Sequence, residues 1–210
     1  MGVSLLKGKP TEPNPPSAFG RGYFSSGSYD TYEKDVLSWV RPVARKIISF
    51  LGDVPRPRIL DAGCAQGYLL EVLQNRKNCR VRGLEYSPHA LAGARSSVSN
   101  KIVRGSILDG SLFPSNDFDG IACFDVLEYL NKTQNEIAAR NMARWTNDFV
   151  FFTNPYRHSV SGSQRTNPDP MRLTAWSQRE YVALFRKAGL NYLSKFNCGS
   201  GGDILVFRKR

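Results

Sequence analysis

Acidic side chains are the first shortage. The 210-residue chain carries 18 Asp and Glu against 29 Lys and Arg, a formal net charge of +11. Two readings of that excess stand: a solvated basic surface, or a footprint for an anionic partner such as RNA, a phosphorylated metabolite or an acidic peptide. The positive residues gather in Arg41, Arg45, Lys46, Arg56 and Arg58, in Arg76, Lys77, Arg80 and Arg82, and in the tail Arg208, Lys209 and Arg210. These clusters lack the interleaved aromatics of a single-strand stacking platform, and no nucleic-acid-binding module is recognisable. Histidine is scarcer still, with only His89 and His158. The four cysteines, Cys64, Cys79, Cys123 and Cys198, include no C-x-x-C pair, so no metal site is expected. Free thiols fit a reducing compartment. No apolar run approaches the roughly 18 residues of a membrane helix. Met1 to Pro16 lacks an apolar signal core, and Leu6 stands where N-myristoylation wants Ser or Thr. These absences lead to the expectation of a cytoplasmic protein with no membrane partner, a monomer or a dimer.

What is present fits one globular domain. Residues 1–20, with Pro10, Pro13, Pro15 and Pro16, read as a disordered arm. Residues 21–210 read as the domain itself, with 21–52 as an N-terminal lid and helix. Apolar residues at helical spacing predict a helix over Glu33–Leu51, which Pro42 kinks or splits. Strands are expected at Arg58–Ala62, Cys79–Glu85, Lys101–Arg104, Phe118–Phe124 and Asp148–Thr153. Helices are expected at Tyr68–Asn75, Pro88–Val98, Glu128–Trp145 and Ser177–Ala188. Strands at Leu190–Phe196 and Asp203–Phe207, joined by a Gly-rich turn, predict a terminal hairpin with an antiparallel edge strand. The alternation means βαβ units: a Rossmann-like, doubly wound α/β fold with a mostly parallel sheet. A long loop over 154–175 reads as an active-site loop.

The sharpest motif is Ile59-Leu60-Asp61-Ala62-Gly63-Cys64-Ala65-Gln66-Gly67-Tyr68-Leu69-Leu70. A buried strand runs into a glycine turn that opens a helix. Gly63 suits a backbone closed to other residues, and Gly67 suits close approach of the helix start to a ligand. The spacing is neither the dinucleotide G-x-G-x-x-G nor a P-loop. Asp61 would repel a pyrophosphate, but it suits a cationic amine and sulfonium as a charge-assisted partner. Glu85 ends the next strand and is placed to accept both ribose hydroxyls.

The chain resembles class I S-adenosylmethionine-dependent methyltransferases, closest to the small type 11 group, over about Glu33 to Arg208. Leu60-Asp61-Ala62-Gly63-Cys64-Ala65-Gln66-Gly67 matches the family's first cofactor motif, with Ala65 replacing its middle glycine. Glu85 matches the ribose-binding acid, with Tyr86 beside it. Gly105-Ser106-Ile107-Leu108-Asp109 is similar to the segment beside the adenine, with Ser106 in place of the usual acid. Phe118 to Leu130, including Phe124 and Asp125, resembles the fourth strand and its loop. Asp169-Pro170-Met171-Arg172, then Trp176-Ser177, looks like the late loop and helix. Tyr129 and Arg172 stand where the family often has histidines.

The resemblance implies a seven-stranded sheet, S-adenosylmethionine as cofactor and S-adenosylhomocysteine as product. It places Asp61, Gly63, Ala65, Gly67, Glu85, Tyr86, Ser106, Ile107, Phe124, Asp125 and Tyr32 at the cofactor. Methyl transfer from a sulfonium is an in-line displacement, and a base is needed only if the acceptor must lose a proton. His158 and Tyr129 are the candidates for catalysis. Tyr29, Tyr156, Arg157 and Arg172 are the candidates for substrate contact. Tyr23, Tyr29 and Tyr32 read as a lid over the cofactor or as plain packing. The expected reaction is methylation of an O or N atom on a small biosynthetic metabolite. RNA or peptide methylation, and a non-catalytic cofactor-binding module, are the alternatives.

Overall fold

The structure is a computed structural model that describes residues 14–24, 32–76, 78–154, 171–174, 176–197 and 203–210. Its helices are α1 (Arg21–Phe24), α2 (Tyr32–Leu51), α3 (Tyr68–Gln74), α4 (Pro88–Ala92), α5 (Lys132–Trp145) and α6 (Gln178–Lys187). Its strands are β1 (Arg58–Ala62), β2 (Arg80–Glu85), β3 (Ile102–Arg104), β4 (Phe118–Cys123), β5 (Thr146–Asn154), β6 (Leu190–Asn197) and β7 (Asp203–Lys209). They form one seven-stranded sheet in the order β3-β2-β1-β4-β5-β7-β6. The β1–β2, β2–β3, β1–β4 and β4–β5 pairs are parallel, whereas β7 pairs antiparallel with both β5 and β6. The hairpin is there, but its reversed strand is not at the edge: β7 lies inside and β6 is outermost.

The pattern of side chains explains why the sheet is covered on both faces. In β5, Phe149 and Phe151 enter the core shared with α2 and α3, while Val150 and Phe152 enter the core shared with α5 and α6. Ile204 and Val206 of β7 go to the first core, and Leu205 and Phe207 to the second. Strands buried on both faces read as continuous apolar runs. Each such fully buried large side chain contributes roughly 1.5–3 kcal/mol. On α2, Val36, Val40, Val43, Ala44, Ile47 and Leu51 form one buried stripe. Pro42 lies within this helix and does not split it.

Three expected elements differ, each for a local reason. The helix from Pro88 stops at Ala92, because Gly93 packs against Gln66 and the Arg95 amide donates to the Gln66 carbonyl (2.9 Å). The helix expected from Glu128 begins at Lys132. Asn131 caps it through a capping box with Gln134, and Leu127–Tyr129 forms a separate 3-10 turn. The arm expected to be structureless through residue 20 has its last part placed. Pro16–Phe19 forms a 3-10 turn, and the Asn14 amide donates to the Met171 carbonyl (2.9 Å). The aromatic ring of Phe19 gives this segment something to bury. Among the described residues, no helix is long and apolar enough to cross a membrane.

Candidate active site

The chain leaves β1 to build β2 and β3 on one side, then returns to build β4 and β5 on the other. The reversal opens a crevice beyond the carboxyl ends of β1 and β4, where open α/β sheets bind ligands. A cavity lies there, about 1260 Å³ including its mouth. Asp61, Gly63, Ala65, Glu85, Tyr86, Ser106, Ile107, Phe124, Asp125 and Tyr129 all line it. Residues separated by up to 68 positions thus share one wall because five parallel strands end at one level.

The first turn is held by its own amides. Gly63 and Cys64 donate to the Leu84 carbonyl (2.7 and 3.1 Å), Gly67 donates to the Cys64 carbonyl (2.8 Å), and Ala65 donates to Glu85 Oε2 (2.7 Å). These amides are engaged within the protein, so what the turn offers a ligand is close approach. Gly63 has φ +86°, and a Cβ there would stand 2.3 Å from Val126 Cγ2. Ala65 also holds a positive φ, 47°, a conformation normally left to glycine. Gly67 departs from expectation. It is off the cavity wall, its φ is +85°, and a Cβ there would meet Val98 and Ile102. Its role is helix–strand packing.

Two buried carboxylates dominate the electrostatics. Glu85 is 8% exposed and accepts from the Ala65 and Ser87 amides, at 2.7 Å each. Burial raises its pKa, and those amides pull it back. Each oxygen keeps a lone pair for a further donor. Asp61 is 5% exposed, and among the described residues its carboxylate has no hydrogen-bond partner. Burial, then the charge of Glu85, pushes it up to about 7. A cation in the cavity would relieve both groups.

The remaining wall is less polar. The Ser106 hydroxyl accepts from the Leu108 amide (3.2 Å), fixing the turn beside Ile107. Asp125 has φ 53° and sits at the rim, its backbone amide donating to Thr153 Oγ1 (2.8 Å). Phe124 packs edge-on against Trp39 at 6.3 Å. Over the opening, Phe19 makes edge contacts with Tyr23, Tyr86 and Tyr129 at 5.3, 6.5 and 5.5 Å. Ser87 Oγ donates to the Phe19 carbonyl (2.6 Å), and Tyr23 bonds the Tyr129 hydroxyl (2.8 Å). Arg172 is behind this wall rather than on it. Its Nη2 lies 3.8 Å from Oε1 of the fully buried Glu128. Burial draws its pKa down, but Glu128, Tyr129 and Asp125 together raise it.

Tyr29, Tyr156, Arg157 and His158 lie outside the described residues, as does the side chain of Tyr32. Sequence reasoning missed Asn14, Phe19, Trp39, Val40, Tyr68, Leu69, Leu108 and Val126 on the wall. Trp39 carried a signal, since it stands three residues after Val36 on the amphipathic helix. Asn14 carried none.

Residues 59–148 match the model of a family described as a methyltransferase domain. The ubiquinone biosynthesis O-methyltransferase of Hahella chejuensis (strain KCTC 2396) is 25% identical over 195 residues, covering 80% of this chain and 82% of that protein. Solved structures share the fold at lower identity. One is the methyltransferase in complex with the Haloferax volcanii Trm112 methyltransferase activator (18% identity, 90% and 96% coverage, TM-score 0.71). Another is the magnesium protoporphyrin IX methyltransferase of Synechocystis PCC 6803 with bound S-adenosylmethionine (15% identity, 90% and 95% coverage, TM-score 0.65).

Proposed function

We propose that this chain is a class I S-adenosylmethionine-dependent methyltransferase and that it methylates an oxygen or nitrogen of a small metabolite. Its cofactor is S-adenosylmethionine. The observation that carries the reading is the pair of buried carboxylates, Asp61 and Glu85, in a cavity at the sheet's switch point. An anionic ligand would be repelled there, whereas a cationic one is held. When bound, the cofactor supplies a methyl group already activated on a sulfonium.

The chain's own residues then bind, orient and exclude water. Asp61 offsets the cofactor's positive charge, and Glu85 accepts from the ribose hydroxyls with the lone pairs its amide partners leave. Ser106 and Ile107 flank the adenine, with Gly63, Ala65 and Tyr86 close by. Asp125, at the rim, takes the methionine end. Phe19 and Tyr23 cover the opening and keep water from the methyl group. The acceptor lies toward Tyr129, whose hydroxyl already accepts from Tyr23. With one hydroxyl on it and Arg172 behind it, Tyr129 is set to orient an acceptor oxygen. His158 is the candidate base for an acceptor that must lose a proton. The relative from Hahella chejuensis, an O-methyltransferase of biosynthesis, supports a small oxygen acceptor. The net charge of +11 favours the second reading, an RNA acceptor.

The test is methyl transfer from radiolabelled cofactor to a panel of small phenols, carboxylates and amines, with total RNA as a separate arm. Turnover on one small-molecule class, lost in Asp61→Ala together with S-adenosylhomocysteine binding, supports the reading. Label entering RNA alone overturns the small acceptor, and failure to bind S-adenosylhomocysteine overturns the site.

A further inference from the structure

On the outer surface, α2 and α3 enclose a second groove, about 920 Å³ including its open side. Its walls are Leu37, Arg41, Glu71, Val72, Asn75, Arg76 and Arg95. Among the described residues the groove's one carboxylate, Glu71, is already occupied. Glu71 takes Arg95 Nε at 2.5 Å and the Ser97 hydroxyl at 2.5 Å. Two guanidinium groups remain, Arg41 and Arg76, and neither side chain has an ion-pair or hydrogen-bond partner among the described residues. Apolar Leu37 and Val72 also line the groove, and Asn75 adds an exposed amide. Two arginine forks facing one cleft match phosphate geometry and give bidentate contacts that lysines do not. Arg45, one turn or about 6 Å along α2 from Arg41, and Lys46 are both exposed and continue the positive strip. α3 also supplies Tyr68 and Leu69 to the cofactor cavity, so the two sites share a wall.

We propose that the α2/α3 groove is a second binding site, for phosphate groups, with Arg41 and Arg76 as the ligating residues. The phosphate comes from a single-stranded RNA backbone or from a small phosphorylated molecule. A merely basic surface differs from such a site in one measurable way. It does not matter to the former which two arginines are removed, but it does to the latter.

The experiment measures anisotropy of a labelled 12-nucleotide single-stranded RNA against the full chain over a range of salt. The variants are Arg41→Ala/Arg76→Ala and a charge-matched control on the opposite helix layer, Arg179→Ala/Arg186→Ala. The site predicts a loss of roughly tenfold or more in the groove variant, and a salt slope smaller by about 1.4, from two contacts at about 0.7 each. The control should change little. Calorimetry with inorganic phosphate and with adenosine monophosphate forms the second arm. Groove-dependent binding of these, with RNA indifferent to both variants, assigns the small phosphorylated source. Equal losses in both variants, with no groove-dependent phosphate binding, overturn the proposal. S-adenosylhomocysteine binding should be unchanged in the groove variant, which separates this test from that of the cofactor site.

Discussion

Asp61→Asn should stabilise the empty protein while disabling it. The carboxyl is 5% exposed, and burial with the nearby Glu85 raises it from its ordinary 3.8 to about 7. An acid raised in the folded state burdens the fold increasingly as pH climbs from the lower value to the higher, and by a constant amount above it. At 1.36 kcal/mol for each pH unit between those values, the burden is about 4 kcal/mol at pH 8 and about 2 kcal/mol at pH 5. Asparagine is nearly isosteric and never ionises, so it removes the burden at both pH values. Its other effects on packing are shared and cancel in the comparison. The variant's stability gain should therefore be about 2–3 kcal/mol larger at pH 8 than at pH 5. For a chain of this length that corresponds to roughly 5–10 °C in melting temperature. Differential scanning calorimetry of both proteins at the two pH values reads this directly. The same substitution should abolish most S-adenosylhomocysteine affinity. In the wild type, S-adenosylmethionine affinity should rise with pH through about 7 and then level. An equal shift in melting temperature at pH 5 and pH 8 would refute the argument, because Asp61 would then not be ionising within the fold.

Three further outcomes follow from the same geometry. Gly63→Ala puts a methyl 2.3 Å from Val126 Cγ2 at φ +86°. It should lower stability by about 3 kcal/mol or more in urea denaturation, with Val126→Ala in the same chain returning all but the roughly 1–3 kcal/mol of backbone strain. Ala65→Gly relieves a left-handed alanine at φ 47°, and it should leave stability unchanged or raise it by up to about 1 kcal/mol. A clear loss in a thermal melt would argue against that backbone. Phe19→Ala removes three edge-on ring contacts over the cavity, each worth about 0.5–1.5 kcal/mol. Stopped-flow release of S-adenosylhomocysteine should quicken about tenfold or more. An unchanged release rate would show that the segment packs without gating.

Much of the cavity wall was legible because its residues sit at ends of regular elements. Asp61, Glu85 and Phe124 each stand at or next to the end of an apolar strand, so pattern alone put them near one level of a parallel sheet. The glycine turn was legible for the same reason, but the two glycines differ. Gly63 needs its conformation beside the cavity, whereas Gly67 needs it for Val98 and Ile102, which lie more than 30 positions away. Nothing in the local run distinguishes them. The helix start at Lys132 was present in the sequence as Asn131 followed by Gln134.

The sequence by itself determined the alternation of strand and helix and the placing of the two cavity carboxylates at strand ends, because each rests on neighbours within a few residues. Tertiary structure decided the rest. It placed Asn14 and Phe19 over the cavity through contacts with Ser87, Tyr129 and Met171, partners between 68 and 157 positions away. It turned Arg172 toward Glu128 and away from the cavity wall. It also brought Arg41 of α2 and Arg76, just past the end of α3, to one groove. Long-range contacts of this kind depend on how layers pack and on which partner is within reach, and no local spacing encodes that.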